Sequence, residues 1–216
     1  MFGFPKTTDF GKKIPKSKFY ENMDISPALK KAFVERVKGI YWQNKLSANT
    51  LNLAVGKNVQ EIEILKICLS SEEVPEDILR LMDKQIPYHI LFVIEYCDRY
   101  QLWIGYKEAA EGKNAFKVDG YYHTIWVAEE EIDLQISGLD MDGLYESFVR
   151  QIAGERLVGV VKGEKLSESI ERDNHKIKLQ KAIKTLQQRL RKEKQLNKQM
   201  TLNKELKAMK RELESL

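Results

Sequence analysis

Cysteine is almost absent from this chain. The two present, Cys68 and Cys97, are far apart and form no CxxC pair, which fits a reducing cytoplasm and excludes a disulfide scaffold. The three histidines, His89, His123 and His175, have no ligand-spaced His or Cys neighbour, so no metal site is expected. There is no P-loop, no G-x-G-x-x-G and no G-x-S-x-G, which removes support for nucleotide binding and for α/β-hydrolase chemistry; no cofactor is expected. The longest unbroken apolar run, Ile90–Ile94, is far too short to cross a bilayer. Phe2 and Phe4 are followed at once by Pro5, Lys6 and Asp9, which is not the order of a secretory leader. No internal repeat is visible, and no membrane association is expected.

The overall charge of +4 hides an asymmetry. Residues 164–216 carry 15 Lys and Arg against 8 Asp and Glu, whereas residues 1–163 carry 21 against 24. A mildly acidic body therefore bears a basic tail, a pattern that suggests an acidic-protein or nucleic-acid partner. The tail also lacks Gly, Pro, Phe, Tyr and Trp and is dominated by Leu, Lys, Gln and Glu, the composition of a long helix. Unbroken, it would reach roughly 75 Å at ~1.5 Å per residue. The expected organisation is a body over 1–154, a short Gly-containing link over 155–163 and a basic helical arm over 164–216.

Within the body, the stretch Ile86–Lys107 reads as the centre. Ile90, Phe92, Ile94 and Tyr96 point to one side of a strand, and Leu91 and Val93 to the other, so the strand is apolar on both faces and belongs inside a sheet. Cys97-Asp98-Arg99 turns the chain, and Leu102, Ile104 and Tyr106 alternate along the returning strand. Ser26-Pro27 starts a helix over Ser26–Lys38 that Gly39 should end. Strands are expected over Ile40–Leu46, over Val59–Leu69 with a bulge or two-sided burial, and over Tyr121–Val127 and Glu131–Ser137. Further helices are expected over Pro75–Gln85 and from Asp140 to Gly154. Met1–Met23 reads as an irregular arm, Ser47–Gly56 as a loop or single helical turn, and Glu108–Ala115 as a polar loop. The fold class is α+β, with a mixed or mainly antiparallel sheet, flanking helices and a long C-terminal helix with short coiled-coil seams.

The stretches FGFPKTT near the start, IYWQNKLSANTLNL at Ile40–Leu53, VQEIEI at Val59–Ile64, IPYHILF at Ile86–Phe92, YYHTIW at Tyr121–Trp126 and LYESFVRQIAG at Leu144–Gly154 resemble a bacterial domain-of-unknown-function family, number 4391. The resemblance spans nearly all of 1–154. It carries no catalytic residues. It implies genomic company with helicases and DNA methyltransferases of restriction-like or phage-defence systems, which is an association and not a mechanism.

Three constellations bear on function. Glu61, Glu63 and Lys66 resemble the acid–acid–Lys cluster of a metal-dependent nuclease. A strand, however, puts Glu61 and Glu63 on one side and Lys66 on the other unless a bulge re-aims it, and no Asp on a preceding strand completes a ligand set. Trp42, Lys45, Lys107, Tyr122 and Trp126 mix basic and aromatic side chains on strands, as a single-strand nucleic-acid binder would, although core packing needs the same residues.

In the tail, Leu179, Ile183, Leu186 and Leu190 form one a/d seam and Leu202, Leu206, Met209, Leu213 and Leu216 another, out of phase across a break around Gln195–Thr201. The second seam suits helix pairing, including a parallel homodimer in which Glu205 faces Lys210. Lys176, Lys178, Lys181, Lys184, Arg189, Arg191 and Lys192 follow one another without an acid between them. They read either as a solvated face or as a contact for an acidic surface or DNA phosphates. The favoured expectation is a non-enzymatic adaptor that docks onto a larger DNA-acting partner, such as a helicase or methyltransferase. A nuclease and a single-strand binder are the alternatives.

Overall fold

In the computed structural model the run Ile90–Ile94 lies within β4 (His89–Tyr96), inside a six-stranded sheet. The structure describes residues 3–21, 25–109, 116–158 and 163–216. The other strands are β1 (Asp9–Ile14), β2 (Val37–Ser47), β3 (Glu61–Leu69), β5 (Arg99–Ala109) and β6 (Phe116–His123). Their spatial order follows the chain, β1-β2-β3-β4-β5-β6. All neighbours are antiparallel except β3 and β4, which run parallel from Ile62↔His89 to Cys68↔Glu95. A parallel pair needs a crossover, and α4 (Glu76–Gln85) supplies it. The fold is α+β with a mixed sheet.

Helices cover both faces of β3 and β4. On one face, Phe33 of α2 (Pro27–Arg36) and Ile78, Leu79 and Met82 of α4 pack with Leu65, Ile67, Leu69, Ile90, Phe92 and Ile94. Most of these side chains have essentially no exposure, and each contributes roughly 1.5–3 kcal/mol by burial. The other face carries Ile62, Ile64, Leu91 and Val93 together with His89, whose ring lies 4.3 Å from that of Tyr145 on α5 (Met141–Ala153). The change of apolar phase in β3 is therefore two-sided burial. The irregularities lie in β2, between Val37 and Gly39 and between Trp42 and Asn44.

Local chemistry sets the element ends. Ser26 caps α2 by accepting from Leu29 N at 3.2 Å, with Pro27 in the first turn. The helix stops at Arg36 and not at Gly39, which lies in β2, where an added Cβ would meet the Tyr41 ring at 3.0 Å. Cys97 and Asp98, both at positive φ (48° and 58°), form the two-residue turn between β4 and β5, and Arg99 already belongs to the strand. This is the left-handed geometry that matches strand twist in tight hairpins.

Three further sequence expectations are corrected. The N-terminal arm contains an edge strand, β1, interrupted by an irregularity around Gly11, and a helical turn, α1 (Ser17–Tyr20). Glu131–Ser137 is not a strand. After a 3₁₀ turn at Glu129–Glu131 it runs without a ladder, and the Gln151 amide of α5 bonds both backbone groups of Gln135 (2.8 and 2.9 Å) in place of a neighbouring strand. The expected polar loop is shortened, since β5 reaches Ala109; residues 110–115 lie outside the described residues, as do 159–162 of the expected link. The Ser47–Gly56 segment contains a single helical turn, α3 (Ala48–Leu51), closed by a reciprocal cap between Ser47 and Thr50.

The chain divides at Gly154 into two units, Met1–Gly154 and Glu155–Leu216. In the second, the long helical stretch is α6 (Leu166–Lys192) followed by α7 (Leu196–Ser215). The three residues between them, and the His175–Glu212 contact at 2.9 Å near the far ends, make the pair an antiparallel hairpin. Glu193 breaks the helix: its backbone is extended, and its carboxylate accepts from Lys194 N and Gln195 N, both at 2.9 Å. Those N–H groups hold its carboxyl below the ordinary range. Among the described residues no helix is long and apolar enough to cross a membrane.

Candidate functional site

The N-terminal end of β3 is positioned by α5. Asp142, in the first turn of that helix, accepts from Lys57 N (3.0 Å), Asn58 N (3.0 Å) and Val59 N (2.7 Å), pinning the loop before the strand. Gly56 permits this approach, because a Cβ there would lie 2.4 Å from Val59 O and 2.5 Å from the Asp142 carboxylate. Glu61 and Glu63 follow on one side of β3, opposite Ser47 and Lys45 of β2. Lys45 Nζ lies 2.9 Å from Glu61 Oε2. Glu63 is 2% exposed, and both of its carboxylate oxygens lack a hydrogen-bond partner. The buried Trp42 Nε1 lacks one as well. Burial is the main cause that pushes the Glu63 carboxyl up to about 7; the Trp42 N–H opposes it, the Glu61 charge adds to it and Lys45 opposes it.

Lys66 does not join the pair. It projects from the other face of β3, with Nζ 2.7 Å from a Glu95 oxygen and 5.4 Å from the Tyr41 ring centre. A strand separates residues of odd spacing, and no bulge in β3 re-aims it. The basic partner of Glu61 is Lys45, which comes from a different strand. Cys68 donates to Glu95 at 3.2 Å, and burial and that carboxylate push its thiol up to about 11, so it is no activated nucleophile. Among the described residues no three His, Cys, Asp or Glu side chains converge on one point.

The mixed basic and aromatic residues form no open stacking surface: Trp42, Lys45 and Lys107 lie on the side of the sheet that carries α2 and α4, and Tyr122 lies on the other. Lys107 is buried, 2.8 Å from Asp83 Oδ1, and also donates to Tyr88 O; Tyr121 donates to the other Asp83 oxygen. Burial pushes the Asp83 carboxyl up and the Lys107 ammonium down, and their mutual attraction opposes both. Tyr122 is 3% exposed, and Trp126 lies under the Arg99 guanidinium at 5.9 Å. These side chains serve packing and pairing. The body also has an open groove of about 970 Å³ between α2 and α4. Within its lining Arg36 pairs with Glu73 and Arg80 with Glu76.

The tail brings together the two seams found in the sequence. Ile183 and Leu186 of α6 pack with Leu206 of α7, flanked by Leu190, Leu202, Met209 and Leu213. Leu216 lies outside this cluster, half-buried. Leu202, Leu206, Met209 and Leu213 thus pair within the chain, and a homodimer through them would require the hairpin to open. A three-residue connection gives the internal partner a high effective concentration, which favours this pairing.

Along α6 Lys178, Lys181, Lys184, Arg189, Arg191 and Lys192 are all exposed, with Lys176 half-buried. None of the seven has an ion-pair partner among the described residues. At ~100° per residue, from 3.6 residues per turn, Lys178, Lys181, Lys184, Arg191 and Lys192 fall in a broad stripe roughly opposite Leu179, Ile183 and Leu186, and Arg189 lies on the flank.

A family model described as a domain of unknown function (DUF4391) matches residues 2–213, nearly the whole chain. No curated protein and no solved structure matches.

Proposed function

The chain belongs to the DUF4391 family, and we propose that it is a non-enzymatic interaction subunit that docks onto a larger DNA-acting partner. The observation that carries this reading is the hairpin. Its apolar seams satisfy each other, so what it offers outward along α6 is a run of exposed cations without acidic partners. Such a surface attracts an acidic protein face or phosphates, and the attraction weakens with salt. The company implied by the family resemblance suggests a helicase or DNA methyltransferase of a restriction-like or phage-defence system as that partner.

The test is affinity purification from the native host, with mass-spectrometric identification and reconstitution of the complex from purified parts. A stoichiometric DNA-acting enzyme should co-purify. Binding should fall when Lys181, Lys184, Arg191 and Lys192 are exchanged for Glu, and should weaken steeply between low and moderate salt. A chain that purifies alone, or a charge-reversed variant that binds as wild type does, would overturn the reading. The rival, a metal-dependent nuclease, requires Mg²⁺- or Mn²⁺-dependent DNA cleavage that Glu63→Ala abolishes. A single-strand binder would hold unpaired DNA through the body with the tail removed.

A further inference from the structure

We propose that Glu61 and Glu63, at the N-terminal end of β3, form a site for one hydrated divalent cation of the Mg²⁺ and Mn²⁺ class, with Lys45 at its rim. The first observation is the mismatch of charge. Two carboxyl groups share one side of the strand, and the single cation paired with them, Lys45, sits 2.9 Å from Glu61 and leaves Glu63 without an ion-pair partner among the described residues. The second is the concentration of unsatisfied buried atoms. Both Glu63 oxygens are sealed from solvent without a well-formed hydrogen bond, beside the Trp42 N–H and the Glu61 carboxyl, an arrangement that is costly for a charged carboxylate. Buried polar atoms of native proteins nearly always have a partner, and here both oxygens of one buried carboxylate lack one of good geometry.

The chemistry of the donors selects the ligand. Carboxylate oxygens are hard donors, which suit Mg²⁺ and Mn²⁺ over thiophilic metals. Mg²⁺ needs only one or two protein carboxylates, because it keeps several waters or takes substrate phosphate oxygens. Two glutamates are therefore a sufficient protein contribution, and no third acidic ligand is required. A coordinated oxygen could accept from the Trp42 N–H. The site has a closed floor and an open rim: Glu63 is 2% exposed, whereas the Glu61 and Lys45 side chains retain 21% and 34% of their surface. A cation on the pair would release Lys45 from Glu61 and leave its ammonium beside the open coordination positions, where it would favour a phosphate-bearing ligand.

The experiment titrates the full chain with Mn²⁺ alone at pH 8, reading free Mn²⁺ by electron paramagnetic resonance, and repeats it with Glu63→Gln, Glu61→Gln and Lys45→Met. Thermal unfolding of each variant checks that it is folded. The expected result is one Mn²⁺ per wild-type chain. Loss of a ligand carboxylate should weaken binding by at least the ~10-fold that even an outer-shell partner is worth. Lys45→Met should keep or tighten it, since Lys45 competes for Glu61. Mn²⁺ that does not bind, or that binds folded Glu63→Gln or Glu61→Gln as tightly as wild type, would overturn the proposal and leave the pair closed by a shared proton. This outcome is independent of docking: the partner test can succeed where the cation test fails, and the reverse.

Discussion

The body and the hairpin are stabilised to very different depths. In the body, Phe33, Ile40, Leu46, Ile62, Ile64, Phe92 and Phe148 have no exposure at all, and helices cover both faces of the central strands. In the hairpin, the seam residues Ile183, Leu186 and Leu206 keep 6–9%, and only four more apolar side chains pack against them. A sheet interior satisfies a side chain from all directions, whereas a two-helix seam leaves one flank open to water. The body can therefore hold a buried ion pair such as Asp83–Lys107 in fixed geometry. Between Lys178 and Lys192 the hairpin holds its charges outside, where they are available to a partner.

The largest expected effect is in the body. Lys107→Met would leave Asp83 buried without its cation and should destabilise the protein by about 3–5 kcal/mol in urea unfolding, whereas combining it with Asp83→Leu should recover most of the loss. A cost under about 1 kcal/mol would show that the body's interior is no more demanding than the hairpin's seam.

Acidification should probe the same interior more gently. Burial, with help from Lys107, lowers the His89 pKa to about 4, against 6.5 for the free side chain. Between those values the unfolded chain binds a proton that the native state refuses, so this contribution is intact above pH 6.5 and is lost as pH falls toward 4. At ~1.4 kcal/mol per pH unit it amounts to at most about 3 kcal/mol. His89→Gln should flatten the difference in unfolding free energy between pH 7 and pH 4.5; an unchanged slope would mean that His89 titrates normally.

The hairpin should respond separately. Leu206→Lys with Leu213→Lys places charges in its seam and should cost on the order of 2 kcal/mol or more of local stability. Helical circular dichroism from α6 and α7 should fall while the body's cooperative transition stays in place. A chain ending at Gly154 should show that same transition, and its absence would erase the distinction between the two regions. The smallest effect on stability is expected for exchange of Lys181, Lys184, Arg191 and Lys192 for Glu, since all four are exposed. Thermal unfolding should be nearly unchanged while salt-sensitive binding to partner or DNA is lost.

Much of the body was legible because its patterns are local. Ser26-Pro27 marks a helix start, Asp140 caps α5 through Gly143 N at 2.8 Å, and alternation in β4 places every side chain on its observed face. β1 escaped notice because an edge strand exposed on most of its length has no alternation to show, and DFGKKI carries Gly11 and two lysines. Glu131–Ser137 misled for the opposite reason. Ile132, Leu134 and Ile136 alternate as in a strand, but a helix side chain meets the backbone of Gln135. At the candidate site, period-2 spacing paired Glu61 with Glu63 and turned Lys66 away. Nothing local pointed to Lys45, sixteen residues earlier, because β2 registry brings it there.

The sequence by itself determined the α+β class, the two-sided apolar centre at β4, the basic character of the tail and the two seams within it. All of these depend on composition or on periods of 2 and 3.6 residues along one segment. Only the tertiary structure decided that the two seams face each other across the turn at Glu193, that Lys107 is buried against Asp83, and that Glu63 is sealed beside Trp42 and Glu61 without a hydrogen bond. These depend on which distant segments meet, and the free energy of burying or pairing a charge is set by that meeting and not by the neighbours in the chain.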